Sequence, residues 1–193
     1  MKVLLLYLFI ILSCYSVAQG FKSYYFVVWS SDRKLFWSDF KGNPPLYSKR
    51  DDLAAISSRV YIDDSSRNND TIVISIVNVF DKFASWTKIK DTSQGKYALS
   101  HEQGHFDITE IYARKIRQSL SLLTNMKTFS PVDSVVKKYN DECEKEEDKY
   151  DEETNHGENL QEQGRWLFKI IEDLKELKEY KNTKFIIRIR QDK

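Results

Sequence analysis

The hydrophobic period of this chain changes once, near Lys96, and that change restricts the fold class more than any other feature. Before it, Tyr24 to Trp29, Leu35 to Phe40, Ala54 to Ile62 and Thr71 to Phe80 are short stretches rich in aromatic and β-branched residues, with Ile72, Ile74 and Ile76 in alternation. Each reads as a strand. Ser30-Ser31-Asp32 suits a turn, Gly42-Asn43-Pro44-Pro45 stops regular structure, and the polar run Asp63 to Asp70 reads as a loop. After Lys96, residues Leu99, Ile108, Ile111, Tyr112, Ile116, Leu120 and Leu123 recur at helical spacing. Ser130-Pro131 marks the start of a second helix, expected from Val132 to about Glu153, and a third is expected from about Glu158 to Tyr180. Asn155-His156-Gly157 separates them, and Lys184 to Arg190 alternates as a final strand. The expectation is an α+β fold: a mainly antiparallel N-terminal sheet, then helices, then a C-terminal strand.

The first residues stand apart from this pattern. Lys2 supplies a positive start, Val3 to Leu12 form a short apolar run, and Ser16-Val17-Ala18 offers small residues for cleavage. Residues 1–18 therefore read as a signal peptide and 19–193 as one domain. Ile11-Leu12-Ser13-Cys14 also resembles a lipobox, in which Cys14 would carry the acyl chains. Either reading exports the protein, to the periplasm or beyond, or to a lipid anchor. No later segment is apolar enough to span a bilayer. The 30 Lys and Arg balance the 29 Asp and Glu, so no overall charge attracts nucleic acid. Cleavage after Ala18 leaves Cys143 as the one cysteine, which excludes an internal disulfide.

The chain has three histidines, and two fall in His101-Glu102-Gln103-Gly104-His105, inside the strongest helical pattern. Four residues advance a helix by about 400°, so both imidazoles share one face and can address one ion. Glu102 sits about 100° away, within reach of a water at that ion but outside the ligand row. A catalytic zinc takes three protein ligands and keeps one position open, and His156, before Gly157 at a helix break, is the third candidate. Glu152 or Glu153 is the alternative if a carboxylate completes the set. Three neutral imidazoles suit Zn²⁺. The segment after His105 lacks the third histidine of a metzincin.

Several motifs together resemble the bacterial domain of unknown function 922, described as predicted secreted zinc-dependent proteases. They are Trp37-Ser38-Asp39-Phe40-Lys41-Gly42, Ser85-Trp86, His101 to Ile108, and Tyr150-Asp151-x-x-Thr154-x-His156-Gly157 followed by Gln163 and Trp166. The resemblance implies export, a zincin-like fold and an HExxH metal site. Within these motifs, Tyr150 could donate to an oxyanion or pack on Trp166. Asp107 could orient a ligand histidine or serve helix packing. Trp37, Phe40, Trp86 and Trp166 suit either a core or a cleft wall. The acidic run Asp141 to Glu153 lacks a calcium-loop pattern and reads as a solvated helix face; carboxylates beside Cys143 argue against a reactive thiolate.

The expected activity is zinc-dependent hydrolysis of an amide bond in a peptide, protein or cell-wall peptide, with Glu102 as general base and Tyr150 as auxiliary donor. The substrate is expected along a sheet edge, with Thr71 to Phe80 nominated. The alternative is a binding module in which the same histidines fix two helices together without turnover.

Overall fold

In this computed structural model, which describes residues 23–46, 53–68, 71–89, 95–123 and 130–188, the sheet precedes the helices. The expected leader and Cys14 lie outside the described residues. In chain order the elements are β1 (Phe26–Val28), β2 (Ala54–Ala55), β3 (Ser58–Asn68), β4 (Thr71–Asp81), β5 (Trp86–Thr87), α1 (Lys96–Ser121), α2 (Ser130–Thr154), α3 (Leu160–Glu176) and β6 (Lys184–Arg188). The described part is therefore α+β, with an antiparallel sheet followed by helices.

Strand β4 is the middle of that sheet. It pairs antiparallel with β3 along its length, and with β1 at one end and β6 at the other. Ile74, Ile76 and Phe80 are completely buried on one face, and Val77 and Val79 are buried on the other. Burial on both faces suits the nearly unbroken apolar run from Ile72 to Phe80. This corrects the nomination of Thr71 to Phe80 as a substrate-binding edge, because neither side of β4 is open. Two other expectations change. The strand expected over Ala54 to Ile62 divides into β2 and β3, since Ser57 leaves the first pairing to accept from Asp81 N–H (2.8 Å) and to donate to Ser85 Oγ (2.8 Å). The loop expected from Asp63 instead extends β3 to Asn68, with a bulge between Ile62 and Asp64. Ladder hydrogen bonds are made by the backbone, so polar side chains do not end an edge strand.

Leu35 to Phe40 is not a strand either. Trp37–Asp39 is a 3₁₀ turn, closed because Asp39 carboxylate accepts from Phe36 N–H (2.8 Å) and from both terminal nitrogens of Arg33 (2.7 and 2.9 Å). Trp37 and Phe40 point into a core with Phe80 and Phe106. Leu35 N–H donates to Gln103 Oε1 (2.8 Å), so this turn anchors the N-terminal segment on the helix that carries the histidines. Burial favours the neutral form of Asp39, but the Arg33 hydrogen bonds, the Phe36 N–H and nearby Lys82 outweigh it and hold the carboxyl below its ordinary value of 3.8. A depressed carboxyl stabilises the fold above its unfolded pKa and loses that contribution as pH falls through the folded pKa. Arg33→Met is therefore expected to be less stable than wild type at pH 6, with the difference shrinking below about pH 4. Urea midpoints at several pH values measure it, and a pH-independent difference would contradict the ion-pair account.

Helix α1 crosses the sheet and runs through three apolar clusters formed among the described residues. Ile116 and Leu120 meet Ile74, Ile76 and Val132; Ile108, Ile111 and Tyr112 meet α2 and α3; Phe106 meets Phe80. Phe106 is fully buried, worth roughly 1.5–3 kcal/mol as a transfer term. Asn78 Nδ2 donates to Phe106 O (2.7 Å), fixing the register of helix against strand just beyond His105. No helix among the described residues is long and apolar enough to cross a membrane.

Candidate metal centre

His101 and His105 lie on α1 and project toward α2, where Asp151 meets them. His101 Nε2 is 3.0 Å and His105 Nε2 3.1 Å from Asp151 Oδ1, and the two Nε2 atoms are 3.3 Å apart. Three electron-pair donors thus converge on one point. In a tetrahedral zinc site with bonds of about 2.0–2.1 Å, neighbouring ligand atoms are about 3.3 Å apart, so the observed triangle needs only slight widening to fit. The cluster could hold a metal ion. Asp151 is half-buried, yet the hydrogen bonds from His101 and His105 outweigh burial and hold its carboxyl well below the usual carboxylate range. Burial would depress His105, but Asp151 overrides it and raises the ring's pKa.

The third candidate histidine occupies the rim. His156 is 39% exposed, with Nδ1 3.3 Å from Asp151 Oδ1, outside the trio whose ligand atoms lie within 4.8 Å of one another. Its backbone belongs to a left-handed run of Asn155, His156 and Gly157 with φ of 49°, 53° and 83°. Two non-glycine residues there cost roughly 1–3 kcal/mol each. The run folds the chain back after α2, helped by His156 N–H donating to Asp151 O (2.9 Å) and Gly157 N–H donating to Thr154 Oγ1 (3.2 Å). A Cβ on Gly157 would lie 2.9 Å from His101 Cβ and Cγ, so glycine is required by space as well as by φ. Neither Glu152 nor Glu153 joins the trio; Glu153 accepts from Trp166 Nε1 (2.8 Å).

Glu102 is buried and faces a cleft of about 960 Å³ bounded by residues 53–58, the first turns of α1 and one face of α2. Burial raises its pKa; His105 and His101 pull it back, and the Ile56 N–H also favours the carboxylate. Tyr150 is completely buried below the histidines, with its ring 4.7 Å from that of His101 at 20° and 5.3 Å from Trp166. Its hydroxyl donates to His101 O (3.3 Å) and accepts from Gln163 Nε2. Gly104, the fourth residue of the HExxH segment, admits this ring: a Cβ there would strike the Tyr150 hydroxyl.

The other motif residues are structural. Asp107 accepts from Trp29 Nε1 (2.6 Å) and Gln103 Nε2 (2.8 Å) and pairs with Lys34 (3.2 Å), so it joins the N-terminal segment to α1. Trp37, Phe40 and Trp166 are core residues. Cys143 is buried, and burial first, then Glu147, pushes its thiol far up. The acidic run is two faces rather than one. Asp141, Glu142, Glu146 and Glu153 pair with lysines, whereas Glu144, Glu147, Asp148 and Asp151 turn toward the cleft.

Residues 86–157 match the family described as "Bacterial protein of unknown function (DUF922)", in agreement with the resemblance read from the motifs. That span begins at β5 and ends at Gly157, so it contains the whole trio, Glu102 and His156. No curated protein and no solved structure matches the chain.

Proposed function

We propose that this protein is an exported, zincin-like metallohydrolase acting on amide bonds, with Zn²⁺ held by His101, His105 and Asp151 and His156 closing the rim. The observation that carries the reading is the 3.0–3.3 Å triangle of two imidazole nitrogens and one carboxylate oxygen beside a buried glutamate in an open cleft. Bound there, zinc supplies Lewis acidity to a carbonyl group and to a water molecule. Glu102 removes the proton from the attacking water and returns it to the departing amine. Tyr150 acts through His101, which it supports, and not as an oxyanion donor, because its one proton is directed to His101 O. Residues Leu53 to Ser58 line the cleft and replace β4 as the stretch along which an extended substrate lies; β2 within it pairs with β5. Glu102, Glu144, Glu147, Asp148, Asp151 and Glu158 line the cleft and, among the described residues, no Lys or Arg does, so peptides with basic side chains are the first substrates to screen.

Glu102→Gln is expected to retain one zinc per chain and to lose hydrolysis by about 10²–10⁴-fold, the usual contribution of a positioned general base. Elemental analysis and turnover of a peptide found by the screen measure the two quantities. Undiminished turnover would remove Glu102 as base. Metal binding with no turnover by wild type on protein and wall peptides would favour the binding-module reading.

A further inference from the structure

We propose that Gln163, oriented by Tyr150, sets the tautomer of His101 so that Nδ1 carries the proton and Nε2 keeps its electron pair for the ion; this rests on the metal reading above. The polarity follows from donors and acceptors. The backbone carbonyl of His101 can only accept, so the Tyr150 hydroxyl, 3.3 Å away, gives it its single proton. The Tyr150 oxygen then accepts from Gln163, which must present its amide nitrogen there. A glutamine amide with its nitrogen engaged on one side turns its carbonyl oxygen to the other, and Gln163 Oε1 lies 3.1 Å from His101 Nδ1. That oxygen accepts only, so Nδ1 must hold the proton. In the neutral ring that binds an ion, Nε2 is then the bare nitrogen, 3.0 Å from Asp151 and 3.3 Å from His105 Nε2; without an ion, the hydrogen bond to Asp151 is made from this same nitrogen.

All parts of this relay are interior. Tyr150 is fully buried and Gln163 is 4% exposed, so water does not compete for their hydrogen bonds. Tyr150 stacks on the ring, and the Gly157 backbone passes so close that an added Cβ would lie 2.9 Å from His101 Cβ and Cγ. Gln163 sits on α3, one helix beyond the elements that supply the ligands, and α3 starts there because Asn159 caps it with its side chain on Glu162 N–H (3.3 Å). The helix thus carries a positioning residue for a site to which it gives no ligand.

The test measures Zn²⁺ affinity by chelator competition on the full chain for wild type, Gln163→Leu and Gln163→Glu, with the His101 ring followed by ¹⁵N NMR in the zinc-loaded protein. A glutamate retains the acceptor for Nδ1–H and a leucine removes it. Gln163→Leu is expected to bind zinc about 10–100-fold more weakly, the usual effect of losing a histidine's outer partner, while Gln163→Glu stays near wild type. In wild type the Nδ1 proton should be visible and slow to exchange. Equal losses in both variants would reduce Gln163 to a packing role and overturn the inference, as would coordination through Nδ1 in wild type, a result that requires no variant to fold. If wild type holds no zinc, the metal reading fails as well, which separates that outcome from a failure of the relay alone.

Discussion

Asp151→Ala is expected to weaken zinc binding by more than about 100-fold, beyond the ~10–100-fold typical of an outer partner of a ligand, because it removes one of the three atoms proposed to meet the ion. Its single oxygen Oδ1 touches His101 Nε2, His105 Nε2 and His156 Nδ1 at 3.0, 3.1 and 3.3 Å, so it is the point common to every pair of the cluster that includes a carboxylate. Removing it also leaves two buried imidazoles facing each other with no anion between them. His156→Ala should be milder, since that ring is 39% exposed and stands at the rim. Titration of the metal-free proteins with zinc against a chelator of known affinity orders the three. If His156→Ala loses more affinity than Asp151→Ala, the assignment of the third ligand reverses, and with it the proposal that a carboxylate completes the site.

That ordering marks where sequence reasoning ends. His101, Glu102 and His105 were legible because their relation is local: helical geometry alone puts two rings on one face. Asp151 was not, because it lies among Asp148, Glu152 and Glu153, and only the packing of α2 against α1 decides which carboxylate meets the rings. Its i−4 spacing from Glu147 and its adjacency to Tyr150 were visible, but a dense acidic run offers too many such pairs to choose between. The left-handed run at Asn155 and His156 had no signal beyond Gly157. Gln163 stood out as a motif residue, but its role depends on three hydrogen bonds among three helices and was not legible.

The sheet shows a similar division. Strand-forming stretches were found wherever apolar residues clustered, but Leu35 to Phe40 has aromatic spacing that an extended strand and a short turn bury equally well. Asp39 decided the matter through bonds to Arg33 and Phe36. For β4 the sequence did hold the clue. An edge strand with one solvated face alternates, whereas Val73 to Phe80 is almost continuously apolar, the pattern of a strand covered on both sides.

Glu110→Ala is expected to lower folding stability by roughly 3–5 kcal/mol, the cost of leaving a buried charge without its partner. Glu110 is 2% exposed and pairs with two guanidinium groups that are nearly as buried: Arg114 Nε at 3.0 Å and Arg117 Nη1 at 3.0 Å. The arginines in turn bond the carbonyls around them. Arg114 reaches Leu174 O (2.6 Å), and Arg117 reaches Ile76 O (3.1 Å) and Tyr180 O (2.9 Å). One carboxylate therefore bridges the two cations that attach α1 to the central strand, to α3 and to the turn that follows it, offsetting one of their two charges. Truncating it leaves both positive charges close together in the interior, and an arginine cannot shed its proton at neutral pH to relieve the repulsion. A loss of 3–5 kcal/mol is a large share of the 5–15 kcal/mol typical of a domain, so the variant should unfold at a markedly lower urea concentration. The cluster is one turn and more beyond His105 along α1, and its groups touch none of the metal candidates. Zinc affinity of the remaining folded fraction should thus be unchanged, and if the folded state binds zinc as proposed, a zinc concentration that saturates wild type should recover part of the lost stability in Glu110→Ala and much less in Asp151→Ala. A destabilisation below 1 kcal/mol would mean that the carbonyl acceptors alone satisfy both arginines.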